Sequence, residues 1–209
     1  YRTAYTLGIE PFFFSHASNK NAPQTYATIT KYFVIFGSFI LLSVIVFADI
    51  LKIIMIQNSS YWEAMKVVPL IILANFFLGI YTNLSVWYKL IDKTHYGAYI
   101  SIVGAIITLA LNYLLIPTMS YYGSAIATIA AYGSMMGMSY YFGNKYYPIP
   151  YDINKISIYL LVSIGFSAIS FYGFRENYFV GIPLLLVFMY FIYHNEKELL
   201  TNILKRKPN

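Results

Sequence analysis

The chain has 209 residues, of which 59% are hydrophobic and 11% are charged, and its mean hydropathy is +0.60. Soluble domains have about 45–50% apolar and about 25% charged residues, so this composition excludes an ordinary soluble domain. The absence of cysteine excludes disulfides, thiolate nucleophiles and cysteine-ligated metals. The net charge of +6 does not indicate a nucleic-acid partner, because the Lys and Arg residues are scattered among the connections instead of forming one patch.

Long apolar runs separated by short polar connections organise the chain. A helix needs about 20 apolar residues to cross about 30 Å of hydrocarbon at 1.5 Å per residue. We therefore predict an all-α fold, a polytopic transmembrane helical bundle over residues 1–194. It contains six complete transmembrane helices plus one partial helix at the N-terminus, which we expect to be the end of a helix whose beginning is missing. The predicted spans are 1–14, 32–48, 67–88, 96–116, 121–142, 156–174 and 178–193.

Two further segments are predicted to lie at the membrane surface. Residues 50–56 are apolar but too short to span, so we expect them at the interface. Residues 195–209 form an amphipathic tail with a leucine and isoleucine stripe followed by Lys205, Arg206 and Lys207. An amphipathic helix of this kind typically lies on an anionic membrane surface.

The distribution of basic residues predicts the orientation. Ten of them fall on one set of alternate connections and the tail, and three fall on the opposite set. Because Lys and Arg accumulate in cytoplasmic loops, the first set and the C-terminus are predicted to be cytoplasmic. The first set is Lys20, Lys31, Lys89, Lys93, Lys145, Lys155, Lys197, Lys205, Arg206 and Lys207, and the second is Lys52, Lys66 and Arg175.

Arg2 and Glu10 are the two charges inside an apolar run. An ionisable group at membrane depth costs about 2.5 kcal/mol or more, so it usually faces the bundle interior or a water-filled path. Eight positions separate the two residues along a helix by about 12 Å, so they share a broad face without pairing directly. We interpret both as candidate substrate-path or ion-path residues. The alternative is that Glu10 is interfacial and Arg2 neutralises an acid on another helix. Pro11 should disturb the helix hydrogen bonds beside Glu10.

Asn75, Asn83 and Asn112 are polar residues at membrane depth and are candidates for the same path, with interhelical hydrogen bonding as the alternative. We predict no catalytic residue, no metal site, no cofactor and no enzymatic activity. The three histidines lack metal-ligand spacing, and no hydrolase or phosphate-binding motif is present. The remaining carboxylates, including Asp49 and Glu196, lie in connections and are interpreted as solvated groups.

Small residues indicate helix packing. Gly133 and Gly137 form a G-x-x-x-G pattern, which allows two helix backbones to approach closely. Ser163, Ser167 and Ser170 repeat at intervals of four and three. We interpret both sets as packing positions within one bundle.

Three segments resemble those of bacterial polysaccharide flippases. Arg2 and the later Glu-Pro-Phe-Phe-Phe at 10–14 resemble that family's A-F-R-x-x-x-E-P-F-F-F segment, with the Arg further from Glu10 here. Residues 111–117 (LNYLLIP) and 122–128 (YGSAIAT) are similar to its L-N-x-x-L-I-P and G-x-x-G-A-A-I-A-T signature. Residues 94–99 are similar to the short cytoplasmic turn that precedes this signature. The resemblance covers much of 1–142.

The resemblance implies membership of the multidrug, oligosaccharidyl-lipid and polysaccharide exporter superfamily, whose members have 12 to 14 helices in two lobes. It implies that this chain is roughly the C-terminal lobe of a flippase in the bacterial cytoplasmic (inner) membrane. The implied substrate is an undecaprenyl-diphosphate-linked oligosaccharide, moved by alternating access for cell-surface polysaccharide biosynthesis. Membrane lipids, a polysaccharide polymerase and chain-length machinery are the implied partners, without nucleic acid. The alternatives are a cation-coupled multidrug antiporter of the same superfamily and a polytopic enzyme of lipid-linked sugar metabolism.

Overall fold

The computed structural model describes the backbone of residues 2–56, 58–175 and 177–205, and the side chains of 8, 9, 11–56, 58, 62–175 and 177–197. Across these residues every regular element is a helix, with no strand. Five segments are long and apolar enough to cross a membrane. The chain therefore folds as a multi-pass helical membrane protein.

The described backbone forms nine α-helices, a 3₁₀ segment at Ser59–Val67 and a π-helical turn at Ile169–Gly173. Short turns and connections join them. The α-helices are α1 (Arg2–His16), α2 (Ala22–Val46), α3 (Ala48–Met55), α4 (Val68–Leu84), α5 (Val86–Leu90), α6 (His95–Met119), α7 (Tyr121–Tyr146), α8 (Ile153–Ala168) and α9 (Tyr178–Lys205).

Length and apolarity identify fewer candidate membrane spans among the described residues than the sequence predicts. All seven predicted runs are helical, but α1 has only 15 residues, and α7, with 26 residues, is rich in Gly, Ser and Ala instead of large aliphatic side chains. The count of six complete spans plus one partial helix is therefore not confirmed by length and apolarity. The five segments that meet both conditions are Ala22–Val46, Trp62–Leu90, His95–Met119, Ile153–Gly173 and Tyr178–Lys197.

Two helix boundaries depart from the sequence prediction for local reasons. α2 begins ten residues before the predicted span, with Pro23 in its first turn, where a missing N–H costs no helix hydrogen bond. Thr25 and Thr28 donate their hydroxyls to carbonyls four residues earlier, so these polar residues are satisfied within the helix. Pro117 does not end α6, which continues to Met119 and stops at Ser120, where φ is 50°.

One compact unit comprises the described residues up to Val34 together with Glu63–Lys155. In it α6 and α7 form an antiparallel hairpin, and α4 packs along α7. A Cβ on Gly123 would lie 2.7 Å from the carbonyl carbon of Leu115, so only glycine permits this approach of the start of α7 to the end of α6. At the other end of α7, Trp87 is buried and donates its Nε1–H to the hydroxyl of Ser139 at 3.4 Å.

The closest helix approaches in this unit do not use the G-x-x-x-G pattern. A Cβ on Gly133 would make only an ordinary contact with Phe77, and one on Gly137 would meet nothing within 4 Å. Gly143 instead lies against the ring of Trp87, where an added Cβ would be 2.8 Å away. The tight packing is therefore set by glycines outside this pattern, which face aromatic rings, a methionine side chain or the Leu115 backbone.

The second compact unit comprises Ile35–Trp62 and the described residues from Ile156 onward. Ser163, Ser167 and Ser170 are all buried, as expected of a packing stripe on α8 and its continuation. The π-helical turn follows α8 directly. α9 then runs without a break from Tyr178 to Lys205, so the last span and the first part of the predicted tail are one continuous helix.

Candidate functional site

The two charged candidates at the N-terminus lie on α1. The side chains of Arg2 and Glu10 are outside the described part of the structure, so their predicted roles stay predictions. α1 continues through Pro11, whose ring nitrogen has no hydrogen to donate to the carbonyl of Leu7. One turn later, the hydroxyl of Ser15 donates to the carbonyl oxygen of Phe12 at 2.9 Å. The helix is continuous across Pro11, so the predicted disturbance beside Glu10 stays a prediction.

The three candidate asparagines occupy different environments. Asn75 is exposed on α4, and Asn83 is 1% exposed two turns later. Each donates its Nδ2–H to the carbonyl four residues earlier, Ile71 at 2.9 Å and Gly79 at 3.1 Å. Each of these amides thus has a hydrogen bond within its own helix, and the path and interhelical interpretations stay predictions. On α6, the Asn112 Oδ1 is buried without a hydrogen-bond partner among the described residues.

A narrow cleft in the first unit contains one of these asparagines. Its empty volume, open to solvent, is about 280 Å³. Because that volume includes open solvent, the cleft does not enclose a drug-sized ligand and is a contact surface, not an enclosing pocket. Mostly apolar atoms face it. Its lining comprises Ile9, Phe13 and Phe14 of α1, Thr82 and Asn83 of α4, and Val86 and Lys89 of α5.

The cleft is held by local contacts between aromatic and backbone groups. Phe13 is buried, and its carbonyl accepts a 2.7 Å hydrogen bond from the buried hydroxyl of Tyr26. The two rings meet edge to face with centroids 4.9 Å apart. This arrangement fixes the end of α1 beside Lys89 and Asn83, two polar residues among the lining of a mostly apolar cleft. Glu10 stands three and four positions before Phe13 and Phe14 on the same helix.

A charged cluster in the second unit was not expected. Asp49 of α3 is 8% exposed and Lys52 is 9% exposed, although Asp49 was interpreted as a solvated carboxylate; that interpretation is wrong. Lys52 Nζ donates to Asp49 Oδ1 at 2.8 Å. Arg175 donates from Nη2 to Asp49 Oδ1 at 3.1 Å and from Nε to Oδ2 at 3.4 Å. A buried carboxylate is thus held between two cations, as burial of charge requires.

Aromatic rings and charge together stabilise the ionised form of this cluster. Burial raises the pKa of Asp49, but the hydrogen bonds and charges of Arg175 and Lys52 outweigh burial and hold that pKa below its ordinary value. Lys52 Nζ lies 4.7 Å from the centre of the Trp62 ring, and the Arg175 guanidinium lies 4.7 Å from that of Phe171. Each cation therefore has both an acidic and an aromatic neighbour.

Glu196 is a second carboxylate whose interpretation as a solvated group is wrong. It lies on α9, is 4% exposed, and accepts a 3.3 Å hydrogen bond at Oε1 from the hydroxyl of Tyr159 on α8. Tyr159 is itself 1% exposed. The sequence held a signal in each case. Asp49 and Lys52 are spaced i, i+3 in an apolar segment, and Glu196 comes three residues after the apolar run that ends at Tyr193; both are consistent with a helix side facing protein.

The described residues hold no group of three or more His, Cys, Asp and Glu side chains suited to a metal ion. The chain matches no protein-family model, and no curated protein or solved structure matches it.

Proposed function

We propose that the chain is roughly the C-terminal lobe of a flippase that moves an undecaprenyl-diphosphate-linked oligosaccharide across the bacterial cytoplasmic membrane by alternating access. In this proposal the Lys89 face and the C-terminus are cytoplasmic. The lipid tail stays in the bilayer while the diphosphate and sugars pass along a polar path beside the helices. Rocking of this lobe against a second lobe exposes the path to each side in turn.

One observation carries the proposal. The two halves of the signature, 111–117 and 122–128, meet across the turn at Ser120, where Gly123 lies against Leu115. Gly123 is thus required by the packing of the α6–α7 hairpin, because a larger residue there would collide with the Leu115 backbone. A signature whose residues have an architectural role supports kinship in fold with the flippases whose segments it resembles.

The cleft beside α1 supplies chemistry that suits this substrate. Lys89 places a positively charged residue beside this mostly apolar surface, where it would attract a diphosphate. The aromatic wall of Phe13 and Phe14 offers apolar surface to a lipid chain or a sugar ring face. Arg2 and Glu10 extend the candidate path along α1.

Complementation tests the proposal. The whole gene product is expressed in a strain lacking its own polysaccharide flippase, and surface polysaccharide and accumulated lipid-linked oligosaccharide are measured together. We expect polysaccharide to return and the intermediate to fall. Unchanged accumulation at normal membrane abundance, together with increased resistance to cationic drugs, would instead establish the antiporter alternative.

A further inference from the structure

The second unit contains a cleft of about 220 Å³, open to solvent, next to the charged cluster. Its surface is almost wholly polar, in contrast to that of the cleft beside α1. The residues that matter for its chemistry are Asp49, Ser170, Phe171, Arg175 and Tyr178. We call it the Arg175 cleft.

Arg175 has hydrogen-bonding capacity beyond its ion pair. A guanidinium carries five N–H donors, and Asp49 receives hydrogen bonds from two of its nitrogens, Nε and Nη2. The Arg175 side chain is 30% exposed and lines the cleft, whereas the Asp49 side chain is only 11% exposed. A second acceptor can therefore reach the guanidinium without displacing the carboxylate. Ser170 and Tyr178, which carry hydroxyl groups, line the same cleft.

The described charges at this site favour an anion. Lys52 and Arg175 contribute two positive charges and Asp49 one negative, a net +1. Glu176 follows Arg175 in the sequence, and its side chain lies outside the described residues. The Arg175 guanidinium is also positioned by the Phe171 ring, which belongs to the π-helical turn. Single π-helical turns are rare and are frequent at functional sites, which is a second reason to assign a ligand here.

α3 places an apolar surface next to the cluster. Asp49 and Lys52 lie on its buried side, and large apolar side chains on its other side are uncovered. Trp62, which contacts Lys52, is 39% exposed, as is typical of aromatic residues at a membrane surface. The exposed apolar residues of α3 are Ile50, Ile53, Ile54 and Met55.

We propose that the Arg175 cleft binds the phosphate of an anionic phospholipid, with the acyl chains lying along the exposed side of α3. A cation with donors to spare, two hydroxyl groups and an adjoining apolar helix side match a headgroup joined to a hydrocarbon tail. The site is independent of the proposed transport path, because every residue in it belongs to the second unit, whereas the Lys89 cleft belongs to the first.

Titration of the whole protein in detergent with short-chain phosphatidylglycerol, followed by thermal unfolding, tests the proposal. Each variant is compared with its own lipid-free state, so a change in basal stability does not enter the result. One charge at a lipid surface is worth about 1 kcal/mol, or about fivefold in affinity. Arg175→Gln brings the described net charge to zero and should weaken binding about fivefold. Asp49→Asn brings it to +2 and should strengthen binding about fivefold.

Three comparisons complete the experiment. Arg175→Lys keeps the charge and should bind more tightly than Arg175→Gln, and Lys145→Gln, an exposed lysine of the first unit, should match the wild type. Zwitterionic phosphatidylcholine and inorganic phosphate should each give a smaller shift than phosphatidylglycerol. An equal shift with inorganic phosphate would exclude lipid as the specific ligand. Equal weakening by Asp49→Asn and Arg175→Gln, or no saturable shift in the wild type, would show that the cluster is structural only.

Discussion

Asp49 and Arg175 are 126 positions apart in the sequence, yet their side chains meet at 3.1 Å. Two side chains in direct contact lie at one depth in the membrane, so the chain crosses an even number of times between them. The segments Trp62–Leu90, His95–Met119 and Ile153–Gly173 provide three crossings. We infer that α7 provides the fourth, since 26 residues at 1.5 Å per residue extend about 39 Å, longer than the roughly 30 Å of hydrocarbon.

This inference predicts the sidedness of three exposed positions. Single cysteines at Asn58 and Asn177, introduced into the cysteine-free chain, should react with an impermeant thiol reagent from the same side of the membrane. A cysteine at Asn144, after α7, should react only from the other side. Labelling of Asn58 and Asn144 from one side, with Asn177 on the other, would contradict a membrane-spanning α7.

The lowered pKa of Asp49 predicts a pH dependence of stability. Because the folded-state pKa lies below the ordinary value of about 3.9, the ionised carboxylate stabilises the fold above that pH, and this contribution is lost as the pH falls through the folded pKa. Asp49→Asn should lower the free energy of unfolding by about 2 kcal/mol near neutral pH. The difference from the wild type should shrink in acid. Unfolding is measured from neutral to acid pH. If Asp49 were not ionised in the folded state, the difference in free energy of unfolding between Asp49→Asn and the wild type would stay constant.

Backbone strain at the α6–α7 turn gives a stabilising prediction. Ser120 has a φ of 50° and a ψ of −133°, a conformation that glycine adopts readily and other residues rarely do. Ser120→Gly should therefore raise the free energy of unfolding by about 1 kcal/mol. Ser120→Ala retains the strain and serves as the matched control. A destabilising Ser120→Gly would mean that the serine side chain has a contact of its own.

Substitution of the nearby Gly123 should instead lower the free energy of unfolding. Gly123→Ala places a methyl group 2.7 Å from the backbone of Leu115, so the start of α7 must shift away from α6. We expect a loss of about 1–3 kcal/mol in thermal or denaturant unfolding. Gly137→Ala, where the added Cβ meets nothing within 4 Å, is the matched control and should be close to neutral.

The candidate path residues are tested by transport. Glu10→Gln should impair export without lowering the amount of folded protein, and Glu10→Asp should impair export less. Arg2→Ala should also reduce export, and Arg2→Lys should retain part of it. Lys89→Gln should reduce export about fivefold, whereas Lys145→Gln should not, because Lys145 is exposed outside the cleft. Export is measured as surface polysaccharide normalised to membrane protein. Wild-type export by all of these variants would remove α1 and its cleft from the path.

Hydrogen bonding within single helices limited what could be predicted for the polar residues. The sequence places Asn75 and Asn83 at membrane depth, which implies a partner for each amide. The structure gives each amide a hydrogen bond to a carbonyl four residues earlier in its own helix. Spacing along one helix predicts this bond as well as it predicts an interhelical one. The choice between them depends on which neighbouring helix is near, and the sequence of one helix does not contain that information.

The sequence by itself determined that the chain is all-helical and crosses the membrane several times. Run length and apolarity are local properties of the sequence. Because the bilayer core contains no water, each apolar run must form its backbone hydrogen bonds internally, as a helix. Only the tertiary structure decided the environments of the carboxylates. Asp49 and Glu196 lie beside apolar runs, where the sequence alone does not distinguish a loop from the buried side of a helix. Their burial depends on Arg175 and Tyr159, 126 and 37 positions away, because desolvating a carboxylate is tolerable only where the fold brings a donor to it.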